Sequence, residues 1–202
     1  PPYNPLVSGT LRVSEIYLSL QGESTFAGLP CVFVRLTGCD LRCSYCDTAY
    51  AFTGGKVMSL EDIQKEISEQ AEGYPNLPTV ELTGGEPLLQ KESQVLMTAL
   101  CDKGFTVLLE TSGAHDISMV DARVHRIVDL KCPSSGEYER NLDSNLEHLR
   151  PSDEVKFVIG THEDYQWASE QLQKINGRCE ALFSWVNPLM TDQQHDELKP
   201  VP

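Results

Sequence analysis

Three cysteines, Cys39, Cys43 and Cys46, stand at C-x3-C-x2-C within the stretch Cys39-Asp40-Leu41-Arg42-Cys43-Ser44-Tyr45-Cys46-Asp47-Thr48. Thiolates are soft ligands suited to iron–sulfur clusters, zinc or copper(I). A [4Fe–4S] cube takes four ligands and this loop offers three. One iron is then left with an open position, the mark of a catalytic rather than a structural metal site. The competing reading is a closed zinc site, which draws on two C-x2-4-C pairs or on one pair and two histidines. No second pair follows here, and His115, His125, His148, His162 and His195 form no H-x3-5-H. The crowding of Cys39, Cys43 and Cys46 and the odd total of seven cysteines argue against disulfides. The other four, Cys31, Cys101, Cys132 and Cys179, read as small buried hydrophobes, with Cys132 nearest to the functional groups below.

The elements that must position these thiolates follow from the apolar patterning. Cys31-Val32-Phe33-Val34-Arg35-Leu36 reads as a strand ended by Thr37-Gly38, so the cysteine loop sits at a strand's end. Arg35 in that strand is either a side chain snorkelling to an edge or a buried cation awaiting a carboxylate. Leu11 to Leu20 alternates as a half-buried strand or hairpin. Strands are predicted at Thr79–Leu82, Phe105–Leu109, Arg126–Lys131, Val155–Ile159 and Leu182–Val186. Helices are predicted from the cap Ser59 to about Glu72, with Leu60, Ile63 and Ile67 inward, and over Leu88–Lys103, with Leu89, Val95, Leu96, Ala99 and Leu100 inward and Gly104 as the stop. A polar helix over Asn141–Leu149 and a further helix over His162–Ile175 complete the pattern.

Strands alternating with helices predict a parallel sheet whose strand ends share one rim. Six strands are too few for a closed eight-stranded barrel. The fold class is therefore α/β: a single-domain partial (β/α)6-type barrel over residues 1–202, with an N-terminal β-hairpin extension. Ligands bind at such a rim. The cysteines, Thr83-Gly84-Gly85-Glu86-Pro87, Glu110-Thr111-Ser112-Gly113, Asp129-Leu130-Lys131 and Asn187 are placed around one cavity. Paired glycines such as Gly84-Gly85 expose backbone to a ligand. Ser19-Leu20-Gln21-Gly22-Glu23-Ser24 is either a surface turn or another close approach of backbone to a ligand.

The chain has 202 residues, 40% of them hydrophobic, and a net charge of −14. A nucleic-acid binder carries a basic face, which this composition does not supply, so nucleic acid is not read as a direct partner. No run of 18 apolar residues and no signal peptide is visible, so no membrane partner is expected. Scattered free cysteines point to a reducing, cytoplasmic setting. The start at Pro-Pro, without methionine, reads as trimmed.

The cysteine spacing, with Tyr45 before the last cysteine, resembles the radical S-adenosylmethionine superfamily, in which the open iron binds the amino and carboxylate groups of S-adenosylmethionine. Taken with Ser19-Leu20-Gln21-Gly22-Glu23, Gly28, Arg35, Cys46-Asp47-Thr48, Thr83–Pro87 and Glu110–Gly113, the sequence from about Ser14 to Pro188 resembles the 7-carboxy-7-deazaguanine synthase family. The resemblance implies a magnesium-dependent lyase of queuosine and 7-deazapurine biosynthesis. In that reaction, cleavage of S-adenosylmethionine yields a radical that takes hydrogen from C6 of 6-carboxy-5,6,7,8-tetrahydropterin. The ring then contracts, ammonia is lost, and S-adenosylmethionine is regenerated as a cofactor.

By the same resemblance, Cys39, Cys43 and Cys46 ligate the [4Fe–4S] cluster and Thr48 binds Mg2+. Tyr45, Gly85, Glu86, Glu110, Ser112, Asp129, Leu130, Lys131, Asn187, Pro188, Leu189 and Met190 are implied to hold S-adenosylmethionine. Leu20, Gln21, Gly22, Glu23, Arg35 and Thr83 are implied to form the substrate pocket. On its own chemistry Thr48 is a turn hydroxyl. A reductant such as flavodoxin or ferredoxin and a homodimeric state are also implied. The family's Gln-x-His-Lys segment, which closes the pocket beyond the Leu198-Lys199-Pro200 region, does not occur in this sequence; either it is missing or the site closes differently. Two rival readings stand beside this one: an activase of the same superfamily that acts on a partner's glycine, and a non-enzymatic cluster or zinc protein.

Overall fold

The computed structural model describes residues 9–74, 76 and 78–186. Its strands are β1 (Thr10–Leu20), β2 (Pro30–Leu36), β3 (Lys56–Ser59), β4 (Thr79–Gly84), β5 (Val107–Ser112), β6 (His125–Asp129), β7 (Glu154–Ile159) and β8 (Glu180–Trp185). Its α-helices are α1 (Leu60–Gln70), α2 (Glu92–Asp102) and α3 (His162–Ile175). The strands form one open sheet in the order β3-β1-β2-β4-β5-β6-β7-β8. β2, β4 and β5 are parallel, as are β7 and β8, while β1 runs antiparallel to both β2 and β3. The (β/α)6-type succession β2, β4–β8 with an antiparallel N-terminal extension is the architecture that the alternation of elements implied.

Local chemistry explains most boundaries. Ser59 caps α1, its hydroxyl accepting from Asp62 N at 3.0 Å, and Leu60, Ile63 and Ile67 are buried as their spacing required. Thr161 and Asp164 form a capping box at the start of α3, which ends on Asn176 in the left-handed region.

Two expectations are corrected, and β3, which pairs with Thr10–Val13, lies in a stretch for which no element was expected. The helix expected from Leu88 begins only at Glu92, because Glu86 accepts from Leu88 N and holds Pro87–Leu89 as a separate 3-10 turn; Leu89 and Val95 are exposed rather than inward. The polar helix over Asn141–Leu149 is replaced by 3-10 turns at Tyr138–Arg140 and Asp143–His148. There the side chains of Asn141 and Asn145 bond neighbouring backbone instead of facing solvent.

The described residues within 1–39, 48–111 and 119–127 group into one compact unit, and those within 40–47, 112–118 and 128–202 into a second. In the first unit, strand alternation separates two faces. Val32, Val34, Leu36, Val80, Leu82 and Leu109 lie on the apolar face, all fully buried. The opposite face carries Phe33 beside Glu81, Arg35 beside Thr83, and Leu108 beside Glu81. In the second unit, Phe157 of β7 packs between Trp167 of α3 and Phe183 of β8. No described helix is long and apolar enough to cross a membrane.

Candidate functional site

In the first unit, the polar face is organised by Arg35. Its Nε donates to Glu15 Oε1 at 2.8 Å and its Nη2 to the Tyr17 hydroxyl at 3.2 Å, and its guanidinium lies 5.9 Å from the Tyr50 ring centroid. Tyr50 donates to the same Glu15 oxygen at 2.9 Å. Burial alone lowers the pKa of Arg35; the bonds to Glu15 and Tyr17 outweigh it and hold the guanidinium above the ordinary arginine range. The carboxylate that a buried Arg35 required is thus supplied by Glu15, across the β1–β2 ladder. Beside Arg35, Thr83 donates to Glu110 Oε2 at 2.9 Å.

The substrate residues implied by resemblance fall at two levels. Arg35 and Thr83 pair near the ends of β2 and β4, whereas Leu20 pairs with Pro30 at the start of β2. At roughly 3.3 Å per residue, five residues of strand separate the levels by about 17 Å. Gln21 bridges part of that gap: only 5% exposed, it donates from Nε2 to Glu81 Oε2 and accepts from Glu23 N at 3.1 Å. Leu20 is 63% exposed and points away from this burial. A side chain at Gly22 meets nothing within 4 Å, so bulk does not require glycine there.

Gly84 and Gly85 are required by space. A Cβ at Gly84 sits 2.3 Å from Leu36 O, and one at Gly85 sits 2.1 Å from Gly38 O and 3.1 Å from Cys39 Cβ. The backbone at the end of β4 is therefore pressed against the residues that launch the cysteine loop. Glu86, fully buried, accepts from Leu88 N at 2.8 Å and from the Thr111 hydroxyl at 2.7 Å, so its carboxylate shapes this turn. Thr48 precedes the 3-10 turn Ala49–Phe52; its carbonyl accepts from Ala51 N at 2.8 Å, and its side chain makes no capping bond.

In the second unit, residues 40–47 of the cysteine loop are strapped to distant chain. Asp40 accepts from His115 Nε2 at 2.9 Å and Arg140 Nη2 at 2.6 Å. Burial pushes the Asp40 carboxyl up, but the bonds from His115 and Arg140 outweigh it and hold it below the usual range. Arg42 N donates to Glu137 Oε1 at 2.6 Å. Ser44 donates from N to Ser135 O at 3.0 Å and from Oγ to Ser134 O at 2.7 Å. Segment 134–135 is held in turn by Asp164, fully buried, which accepts from Ser134 N, Gly160 N and Thr161 N at 2.8, 2.8 and 2.9 Å.

Cys43, Tyr45, Asp129 and Lys131 form an interacting set in this unit. Lys131 Nζ donates to Asp129 Oδ2 at 2.8 Å. Burial disfavours the Lys131 ammonium, but the charges of Asp129 and Cys43 outweigh it and raise its pKa. Burial, then the charge of Asp129, raises the Tyr45 phenol. Asp129 Oδ1 and the Tyr45 hydroxyl are buried with no hydrogen-bond partner among the described residues. Such atoms call for a partner that these residues do not supply, and a polar cofactor beside Cys43 fits that need. Ser112 is buried at the start of the next segment, where Gly113 N donates to Asp129 O at 3.0 Å.

Cys39, Cys43 and Cys46 form no disulfide among the described residues and are half-buried. No three His, Cys, Asp or Glu side chains among the described residues converge on one metal ion, a convergence that a cluster ligated through separate irons does not need. Cys31 and Cys132 are fully buried, with thiols pushed up to about 12 chiefly by that burial, as inert core cysteines should be. Cys101 and Cys179 are only half-buried, against expectation. Asn187, Pro188, Leu189 and Met190 lie outside the described residues.

Sequence reasoning missed Glu15, Glu81, Asn141, Asn145 and Asp164. Asn141 brackets Lys131, accepting from its N at 3.0 Å and donating to its O at 2.9 Å. Asn145 donates to Gly113 O at 3.0 Å and His115 O at 2.8 Å. Only Glu81 carried a local signal, a carboxylate inside the apolar run Val80-Glu81-Leu82.

Residues 33–197 match the family model described as the radical SAM superfamily. A 7-carboxy-7-deazaguanine synthase from Koribacter versatilis is 48% identical over 161 residues, covering 79% of this chain and 70% of the relative. The enzyme of that name from Chlorobaculum tepidum is 45% identical, covering 87% and 80%. Among solved structures, QueE from Escherichia coli superposes with a TM-score of 0.73 at 25% identity, covering 94% of this chain and 88% of that one. SuiB from Streptococcus suis, solved with S-adenosylmethionine, shares the fold at a TM-score of 0.58 and 16% identity, covering 76% and 40%.

Proposed function

Because the chain belongs to the 7-carboxy-7-deazaguanine synthase family of the radical S-adenosylmethionine superfamily, we propose that it converts 6-carboxy-5,6,7,8-tetrahydropterin to 7-carboxy-7-deazaguanine with loss of ammonia, a step toward queuosine and related 7-deazapurines. The observation that carries this reading is the 45–48% identity to relatives of that name over most of both lengths. The superfamily implies a [4Fe–4S] cluster and S-adenosylmethionine, which together supply one-electron cleavage chemistry when bound. Cys39, Cys43 and Cys46 are the proposed cluster ligands. Tyr45, Gly85, Glu86, Glu110, Ser112, Asp129, Leu130 and Lys131 are the proposed cofactor contacts, together with residues 187–190.

The chain's own groups support binding of a flat, polar, anionic ring. Arg35 spends Nε and one Nη2 hydrogen on Glu15 and Tyr17, and the remaining donors of its fork suit a substrate carboxylate. Thr83 and Glu110 offer a hydroxyl and a carboxylate beside it. Asp129 Oδ1, which has no hydrogen-bond partner among the described residues, can accept from an ammonium group, and Lys131, held charged by Asp129, can meet a carboxylate. Thr48 is proposed to assist Mg2+, which keeps most of its waters and takes few protein ligands. A small one-electron donor such as flavodoxin or ferredoxin, a homodimeric state and a cytoplasmic setting belong to the same proposal.

Oxygen-free reconstitution followed by iron counting and product analysis tests it. The expected result is about four irons per chain and magnesium-stimulated formation of 7-carboxy-7-deazaguanine. Zinc in place of iron, with no 5′-deoxyadenosine formed, ends the proposal.

A further inference from the structure

We propose that Glu81 is a positioning residue that fixes the polarity of the Gln21 amide, so that Gln21 presents a hydrogen-bond donor, not an acceptor, to the bound ring; this rests on the pterin reading above. Gln21 is anchored through its backbone, N donating to Leu29 O at 2.8 Å and O accepting from Gly28 N at 2.7 Å. Its side chain has one acceptor oxygen and two N–H donors. The oxygen is taken by Glu23 N at 3.1 Å and one N–H by Glu81 Oε2. What remains is one N–H on the nitrogen that faces Glu81, and one lone pair on the oxygen that faces Glu23. Rotating the amide by half a turn sets oxygen against the Glu81 carboxylate and NH2 against the Glu23 N–H, losing both bonds.

Glu81 is 3% exposed and lies between Phe33 and Leu108, on the face that carries Arg35 and Thr83. A carboxylate buried beside apolar neighbours is unfavourable unless it is hydrogen-bonded, and the Gln21 amide supplies one such bond. Gln21 then favours a ring bearing a keto oxygen and disfavours one bearing an amino group at the same position.

The test compares the keto substrate with its 4-amino analogue as competing ligands of the reconstituted enzyme, in wild type, Glu81→Gln, Gln21→Ala and the double variant. Wild type is expected to favour the keto ring by roughly tenfold or more, the scale of one well-placed hydrogen bond set against one donor–donor clash. Glu81→Gln conserves volume but presents either polarity. It is expected to shrink that preference to about threefold or less, with the larger kinetic change in KM. In the Gln21→Ala background the same substitution is expected to change nothing further. An unchanged preference in Glu81→Gln, or an equal loss in both backgrounds, overturns the inference.

The 15N signal of the Gln21 side-chain amide, identified by its loss in Gln21→Ala, reads the contact without turnover. It is expected to exchange slowly in wild type and faster in Glu81→Gln. If it does so while the pterin neither binds nor reacts, the substrate reading fails and the contact stands. If turnover is intact and the signal ignores Glu81→Gln, the inference fails and the reading stands.

Discussion

Asp164 lies far from the cysteines in sequence, yet the geometry makes it a support of their loop. Replacing it with alanine removes the acceptor for three backbone N–H groups, those of Ser134, Gly160 and Thr161, and half of the α3 capping box. A partly buried donor left without its acceptor costs on the order of 1–1.5 kcal/mol, so the loss is roughly 3–5 kcal/mol. For a chain of this length about 2–4 °C of melting temperature accompanies each kcal/mol, giving a fall of roughly 6–20 °C. Segment 134–135 also accepts both hydrogen bonds of Ser44, between Cys43 and Cys46, so the variant is expected to retain less iron after anaerobic reconstitution. Thermal unfolding by circular dichroism, with an iron assay on the same sample, measures both effects. Asp164→Asn should be nearly as damaging, because its NH2 faces N–H donors on one side. If Asp164→Ala melts within about 2 °C of wild type and holds its full iron, the strap from α3 to the cysteine loop is not what supports that loop.

Gly85→Ala drives a methyl group to 2.1 Å from Gly38 O and toward Cys39, so iron content is expected to fall by more than half; a fully loaded variant refutes the packing argument. Asp40, whose folded carboxyl is held low by His115 and Arg140, stabilises the fold above the unfolded value near about 4 and loses that contribution as pH falls through its depressed folded value. Asp40→Asn should therefore melt lower than wild type at pH 7 and show a flatter decline in apo-protein melting temperature below about pH 4; parallel curves refute the assignment. Thr48→Ala is expected to raise the magnesium concentration needed for half-maximal turnover while sparing the cluster spectrum, and an unchanged magnesium titration counts against the Thr48 role.

What the sequence disclosed and what it hid divide by contact range. The α3 boundaries were legible because the Thr161–Asp164 capping box and the apolar spacing are local. The cysteine triplet was legible for the same reason. β3 was not: it is four residues long, Val57 is exposed, and only pairing with Thr10–Val13 makes it a strand. Asn141 and Asn145 look like solvent-facing residues of a polar helix until the backbone at Lys131 and Gly113 comes within reach of their amides. The Asp40–His115 and Asp40–Arg140 contacts join residues 75 and 100 positions apart, and nothing in local pattern announces them. Arg35 was singled out correctly, but its carboxylate partner Glu15 sits on another strand and emerged only with the β1–β2 register.

The straps on the cysteine loop also set a timetable for making the protein. Arg42 and Ser44 are tied to residues 95 and 90 positions further along, and the platform beneath them needs Asp164. A ribosome that has just released Cys46 has produced the thiols but none of the scaffold that immobilises them. Delivery of iron and sulfide before Asp164 has emerged would meet a floppy peptide, so maturation factors should act after that point of synthesis.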